Sequence, residues 1–376
     1  MRICLDISPA VHRRAGLGRY AQELTEALLY LDKENEYVAF YNGPRGVVPQ
    51  PPLDRLPRLT VGLSNKPWRM SILLAHHLGL NLDRLFPGVD LLHSTDHLLP
   101  PLRRVRTVFT VHDLVFLFFP EYHLPLNRWY LTLMMPRFIR RADAVITVSE
   151  CSRRDLVRLY RLDQARIHVI YEGIDDHFRP VEDREVLAAV RRQYGLPDGF
   201  ILYVGTIEPR KNLTTLLKAY QTLKGQGLES KLVIVGKKGW LYQDFFRRLR
   251  ELGLEGQVIF PGYVPDDDLP AIYSAAQVFA FPSLYEGFGL PPLEAMACGA
   301  PVVCSNTSSL PEVVGDAAIL VNPRDVGEIV AAIERVIADS TLRDAMRAKG
   351  IAQAAKFSWE RAARETLEVY ANVQGV

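Results

Sequence analysis

Thirteen short apolar, β-branched runs, separated by longer amphipathic stretches, decide what this chain can fold into. Seven lie in the first half, at 2–7, 37–41, 59–61, 89–94, 105–113, 143–149 and 166–173. Six lie in the second, at 200–205, 231–236, 257–260, 278–283, 301–305 and 318–322. Runs this short that are apolar on both faces suit strands of a parallel sheet covered by helices on either side. Between them run stripes of 3.6 period, such as Leu17, Tyr20, Ala21, Leu24, Ala27, Leu28 and Leu31. Strand–helix alternation of this kind implies doubly wound α/β architecture.

The alternation lapses once, in the charged stretch GIDDHFRPVEDREV, and then resumes. With 376 residues and a prior of about 150 per domain, two domains are expected, 1–178 and 179–357. Residues 358–376 form a terminal helix that Ser358 can cap, with Trp359, Ala363, Leu367 and Tyr370 as one apolar stripe. That stripe suits a helix returning to pack on the N-terminal domain.

Charge and composition exclude several classes. Lys and Arg total 45 against 43 Asp and Glu, so bulk attraction to nucleic acid is not expected. The four cysteines form no CxxC pair and no zinc-finger spacing, which predicts thiols in a reducing compartment. The apolar run at the N-terminus is cut by Asp6, too short for a signal peptide. The most apolar stretch, Val108 to Phe119, contains His112 and Asp113 and falls short of the roughly 18 residues a spanning helix needs. A cytoplasmic protein is expected, at most peripheral at the inner face of the plasma membrane. For the peripheral reading, VFLFFP (115–120) and the arginine clusters at 103–106, 137–141 and 153–161 suit an anionic lipid surface. A buried loop with ordinary solvated helix faces explains them equally well.

Three segments carry chemistry. In SPAVHRRAGLGRYA, Gly16 and Gly18 let backbone N–H groups approach an anion where a helix begins. Gly16, Gly18 and Ala21 formally match a dinucleotide fingerprint. The loop is too long for its tight turn, however, and Asn42 stands where a ribose-binding acid would follow strand 37–41, Glu36 lying before it. In YVGTIEPRKNL, Arg210 and Lys211 sit between a strand's carboxyl end and a helix start, a place suited to a diphosphate.

The third segment, PSLYEGFGLPPLEAMACGAPVV, is the most informative. Glu286 lies in a glycine loop and Glu294 in the second turn of a helix that begins at Pro291–Pro292 and stops at Gly299. Two carboxylates so spaced can bind sugar hydroxyls, while the N–H groups of Phe288, Gly289 and Leu290 suit phosphate. His112, at the end of a strand, is a further candidate, and His93 and Asp96, ending the previous strand, could line an acceptor side.

EGFGLPPLEAMACGAPVV resembles the Glu–seven residues–Glu motif of retaining GT-B glycosyltransferases of glycosyltransferase family 4. VGTIEPRKNL resembles that family's phosphate loop and AGLGRYAQEL its first glycine loop. VHDLVF and ADAVITVSECSRRDL match in order, so the likeness spans the chain. It is nearest the mannosyltransferase-like branch that builds bacterial surface polysaccharide. The resemblance implies two Rossmann-like domains facing a cleft, the second binding the donor. It implies that Glu286 faces the reacting carbon, Glu294 holds the donor ribose, and Phe288, Gly289 and Leu290 meet sugar and phosphate. It further implies that Lys211 with Arg210 neutralises the leaving diphosphate, that Gly16 and Gly18 close on it, that His112 sits by the donor sugar, and that Val264 touches the base. Ala15, where the family often has glycine, and Thr206, where some members carry arginine, depart from the pattern.

The expected activity is transfer of a hexose, with retention, from a nucleoside-diphosphate sugar to a saccharide or lipid-linked saccharide. No cofactor and no metal are expected. The run Asp266–Asp268 reads as the acidic start of a helix over 266–276 rather than as a metal motif. Alternatives are a nucleotide-sugar epimerase, which shares the architecture but calls for more acid/base candidates around the cleft, and a catalytically silent sugar-nucleotide-binding homologue, which keeps all these motifs.

Overall fold

Residues 1–375 are described by a computed structural model. The thirteen strands are β1 (Arg2–Asp6), β2 (Glu36–Asn42), β3 (Arg58–Val61), β4 (Leu91–Ser94), β5 (Arg106–Val111), β6 (Ala144–Thr147), β7 (Ile167–Val169), β8 (Phe200–Val204), β9 (Lys231–Val235), β10 (Val258–Gly262), β11 (Val278–Phe281), β12 (Val302–Ser305) and β13 (Ile319–Val321). Each overlaps one of the apolar runs. Two wholly parallel sheets result, ordered β3-β2-β1-β4-β5-β6-β7 and β10-β9-β8-β11-β12-β13. Central strands such as β4, β6, β8, β11 and β12 are buried throughout, which is why β8 and β11 are wholly apolar and the others apolar up to their carboxyl ends.

In each sheet the strand order reverses once, between β1 and β4 and between β8 and β11. Helices leaving the carboxyl ends of the two strands at such a point diverge to opposite faces, opening a crevice where ligands bind. Asp6 and Ser94–Asp96 stand at the first reversal, and Gly205–Lys211 with Ser283–Glu286 at the second.

The chain forms two compact units, 1–118 with 125–173 and 358–376, and 174–357 with 119–124. The boundary falls at 173/174 rather than 178/179, because the Ile174 N–H already bonds the Phe357 carbonyl and Phe178 packs edge-on to Tyr273, 6.2 Å away. Residues 119–124 join the second unit through Trp240, whose indole N–H donates to the Tyr122 carbonyl at 2.6 Å. The terminal helix, Trp359–Gln374, belongs to the first unit. Ser358 caps it by accepting from the Arg361 N–H, Trp359 lies 5.9 Å from the Tyr20 ring, and the Tyr370 hydroxyl meets His93 Nδ1 at 2.6 Å.

The N-terminal glycines lie in a helix rather than in a loop, since Ala15–Leu31 is helical from its first residue. Gly18 is needed there because a Cβ would stand 3.0 Å from the Pro9 carbonyl oxygen of the short helix Ser8–Val11. The run at 115–120 is not a surface: Val115 and Phe116 are buried and Leu117 and Phe118 pack on the same core as Phe109, Met134 and Phe138. Among the described residues no helix is long and apolar enough to cross a membrane.

Candidate active site

The second unit brings Arg210, Lys211 and Glu286 together. Pro209–Lys211 form a single tight turn after β8, and Asn212 follows in the left-handed region at φ 58°, before the helix Leu213–Gly225. The Asn212 amide fixes this conformation by donating to the Pro282 and Pro323 carbonyls at 3.0 and 2.6 Å. The turn thereby presents its two cations to the loop after β11. Lys211 Nζ donates to Glu286 Oε1 at 2.6 Å, and Arg210 Nη1 to Glu286 Oε2 at 2.8 Å and to the Tyr285 carbonyl at 2.6 Å. The other edge of the guanidinium grips Glu208 Oε1 through Nε and Nη2. Ser283 Oγ also donates to Glu286.

Burial alone would raise the Glu286 pKa, but the charges of Arg210 and Lys211 outweigh it and hold the carboxyl at about 2. Lys211 is lowered by burial and by Arg210, against the pull of Glu286. Two cations are thus balanced by two carboxylates, Glu208 and Glu286, the former not singled out by its sequence context.

The loop from Glu286 is held from behind. Ser308 Oγ accepts the Glu286 N–H, and Ser309 Oγ reaches the carbonyls of Glu286 and Phe288 at 3.0 and 2.6 Å. Gly289, at φ 118°, leads into the helix Leu290–Ala297, whose second and third residues are prolines without an N–H and whose Leu293 N–H bonds the Gly289 carbonyl. Glu294 is buried, with its Oε2 accepting from the Tyr273 hydroxyl at 2.8 Å. Val264 is also buried, whereas Tyr263 beside it is exposed under Lys237, whose Nζ lies 4.2 Å from the ring centre. Tyr263 and Lys237 line a hollow of about 440 Å³ with Ile207, Lys238 and Phe246.

The first unit gathers a separate set at its own reversal point. Asp96 is buried and paired with Arg14 at 2.6 Å; burial would raise its pKa, but Arg14 and His97 bring it below the usual carboxylate value. Arg14 is the residue just before the helix Ala15–Leu31, with its side chain turned to Asp96 rather than to the helix N–H groups. The Gly18 N–H is taken by the Arg14 carbonyl, so of the two glycines only Gly16, exposed in the first turn, keeps an anion-facing role open. Burial raises Asp6 to about 7, against its hydrogen bonds from Ser8. His112 lies between the Thr95 carbonyl and Glu172. His93 does not join the site: it is fully buried, its ring nitrogens matched to Tyr370 and Thr110.

Comparison with known proteins identifies the family and the fold. The sequence model described as Glycosyltransferase Family 4 matches residues 14–178, and that of Glycosyl transferases group 1 matches 189–353. O-antigen chain mannosyltransferase B of Escherichia coli is 35% identical over 380 residues, covering 98% of this chain and 99% of that protein. Serotype-specific mannosyltransferase WbdA of Escherichia coli is 36% identical over 70% of this chain, which spans 33% of that protein. Among solved structures, sucrose-phosphate synthase from Thermosynechococcus elongatus superposes with a TM-score of 0.79 at 23% identity, covering 100% and 99% of the two chains. Anabaena Alr3699/HepE in complex with UDP-glucose gives 0.75 at 20%, covering 99% and 100%. The fold is GT-B. The chain belongs to glycosyltransferase family 4 and is a glycosyltransferase.

Proposed function

We propose that the chain is a retaining, metal-independent mannosyltransferase that takes mannose from a nucleoside-diphosphate donor and extends a bacterial surface polysaccharide of the O-antigen type. The observation that carries the reading is the Lys211–Glu286–Arg210 cluster at the carboxyl ends of β8 and β11. It supplies buried cations for a diphosphate and an ionised carboxylate for a sugar within one hydrogen-bonded set. The names of both Escherichia coli relatives support mannose as the sugar, and that of the near full-length one supports O-antigen as the product.

In this mechanism the cations and the N–H groups before Leu290–Ala297 stabilise the departing diphosphate, the task a metal performs elsewhere. The acceptor hydroxyl attacks the anomeric carbon from the face the diphosphate leaves. Its proton passes to the departing phosphate oxygen as the sugar–phosphate bond breaks. The hollow beside Tyr263 and Lys237 takes the base. Nucleoside-diphosphate mannoses incubated with a mannan acceptor and a chelator test this. The account predicts a product that keeps the donor's anomeric configuration; inversion, or an absolute need for a divalent ion, contradicts it.

A lipid-linked acceptor brings a membrane contact, at a place other than 115–120. The helix Asn65–His77 exposes Met70 and Leu74 on its outer side, and Leu78 just beyond is 67% exposed. Alongside, Pro125–Arg141 exposes Leu126, Trp129 at 50%, and Arg128, Arg137 and Arg140. The helices are neighbours: Arg69 bonds Asn127 at 2.7 Å and lies 4.4 Å from the Tyr130 ring, and His76 is 5.3 Å from Phe138. Apolar side chains among arginines suit an anionic bilayer surface. Co-sedimentation with phosphatidylglycerol vesicles is expected to fall about tenfold in a Leu74→Ser/Trp129→Ser variant. Unchanged binding would locate the contact elsewhere.

A further inference from the structure

His112 follows β5 directly and is almost wholly buried. Its Nε2 lies 3.1 Å from the Thr95 carbonyl oxygen and its Nδ1 3.4 Å from Glu172 Oε1. A carbonyl cannot donate, and an ionised carboxylate cannot either. A neutral imidazole has one N–H and would turn its bare nitrogen to an oxygen lone pair; with Glu172 ionised, only the doubly protonated ring satisfies both contacts. Glu172 follows β7, in the first unit, and is itself buried.

The surroundings agree. His97 and His93 are the other histidines near this ring. His97 is brought down to about 4, chiefly by burial, against the pull of Asp96 and Asp113; His112 adds to the lowering. Burial brings His93 to about 3, again with a contribution from His112. His112 is raised: burial opposes its charge, and Glu172, the Thr95 carbonyl and Asp113 overcome it. Tyr20 packs edge-on against the ring, 4.7 Å away, and Ser152 Oγ fixes the backbone by donating to the His112 carbonyl at 2.9 Å.

We propose that Glu172 is a positioning residue that holds His112 as a buried imidazolium, so that His112 acts as a fixed positive charge and not as the base that takes the acceptor's proton. This rests on the reading of His112 as a group beside the donor sugar, but its protonation state is measurable without substrate. A proton fixed on His112 leaves the departing phosphate as the proton's destination, as the retaining mechanism requires. The charge is present below the raised pKa of His112 and is lost as pH rises through it, so turnover fails on the alkaline side.

The test has two arms. In ¹⁵N-histidine-labelled full-length protein, with the His112 signals assigned from a His112→Gln variant, both ring nitrogens are expected to be protonated at pH 7. In Glu172→Gln the titration midpoint is expected to fall by about one to two pH units, while Glu172→Asp keeps most of the shift. One protonated and one bare nitrogen in the wild type, or an unmoved midpoint in Glu172→Gln, would overturn the proposal. In the second arm, the alkaline limb of the kcat profile is expected to move down with the midpoint in Glu172→Gln, with KM for the donor changing less than kcat. An acidic limb tracking His112 instead would make it a base. A sample without transferase activity would refute the functional reading and leave the nitrogen spectra to decide this one. If Glu172→Gln fails to fold, the wild-type spectrum and Glu172→Asp still decide.

Discussion

Glu286→Gln is expected to lower kcat by on the order of 10²–10³-fold while nucleoside-diphosphate affinity changes by less than about threefold. The substitution keeps the shape of the side chain and one acceptor but removes the charge that faces the sugar in the proposed mechanism. Because Arg210 and Lys211 hold the Glu286 carboxyl at about 2, it remains ionised across the working range. No acidic limb of the wild-type profile above about pH 3 should belong to it. The sign for stability follows from the same shift: a depressed carboxylate stabilises the fold above its unfolded pKa, and that stabilisation is lost as pH falls toward about 2. The variant should therefore melt lower at pH 7, and its nucleotide affinity must be measured below its own transition. Stopped assays of donor consumption, with calorimetry for the diphosphate, separate the two effects. Near-normal turnover would remove Glu286 from the reacting centre.

Lys211→Ala carries the second large effect. A hydrogen bond to a charged group contributes about 1.5–3 kcal/mol, so loss of the ammonium is expected to weaken nucleoside-diphosphate binding roughly 10- to 100-fold. Affinity for the nucleoside alone should stay within about twofold. Equal losses for both ligands would mean that Lys211 acts only by holding Glu286, its partner at 2.6 Å. Arg210 is a poorer subject for the same experiment. Its guanidinium ties Glu208, the Tyr285 carbonyl and Glu286 to one another, so its removal loosens the whole turn.

The strands were legible because parallel sheets covered on both faces force continuous apolar runs, repeated between amphipathic stretches. Glu286, Lys211 and Arg210 were legible as candidates because the reversal point puts strand ends and helix starts side by side. Their mutual ion pairs were not, since they join residues about 75 positions apart. The same limit hid Glu172, which lies sixty residues from His112 in sequence and beside it in space. His93 read as an acceptor-side residue because it lies near the carboxyl end of a strand; the terminal helix covers it instead, through Tyr370. VFLFFP read equally as surface or core, because a short apolar run carries no mark of which side is covered. Val264 and Tyr263 differ by one position, and alternation along the chain turns one inward and the other out. The glycines at 16 and 18 suggested a loop, but close approach to Pro9 explains Gly18 within a helix.

The central claim is that the second unit binds a nucleoside diphosphate on Lys211 and its neighbours without a metal. A melting-temperature panel with GDP, UDP, ADP, CDP and dTDP, each with chelator and with Mg²⁺, tests it most directly. A ligand at about 100 times its dissociation constant adds roughly 2.7 kcal/mol, enough to raise Tm by a few degrees. The account predicts a selective rise with one base that survives chelator and shrinks in Lys211→Ala. No rise with any diphosphate in folded protein, or a rise only with Mg²⁺, would contradict it.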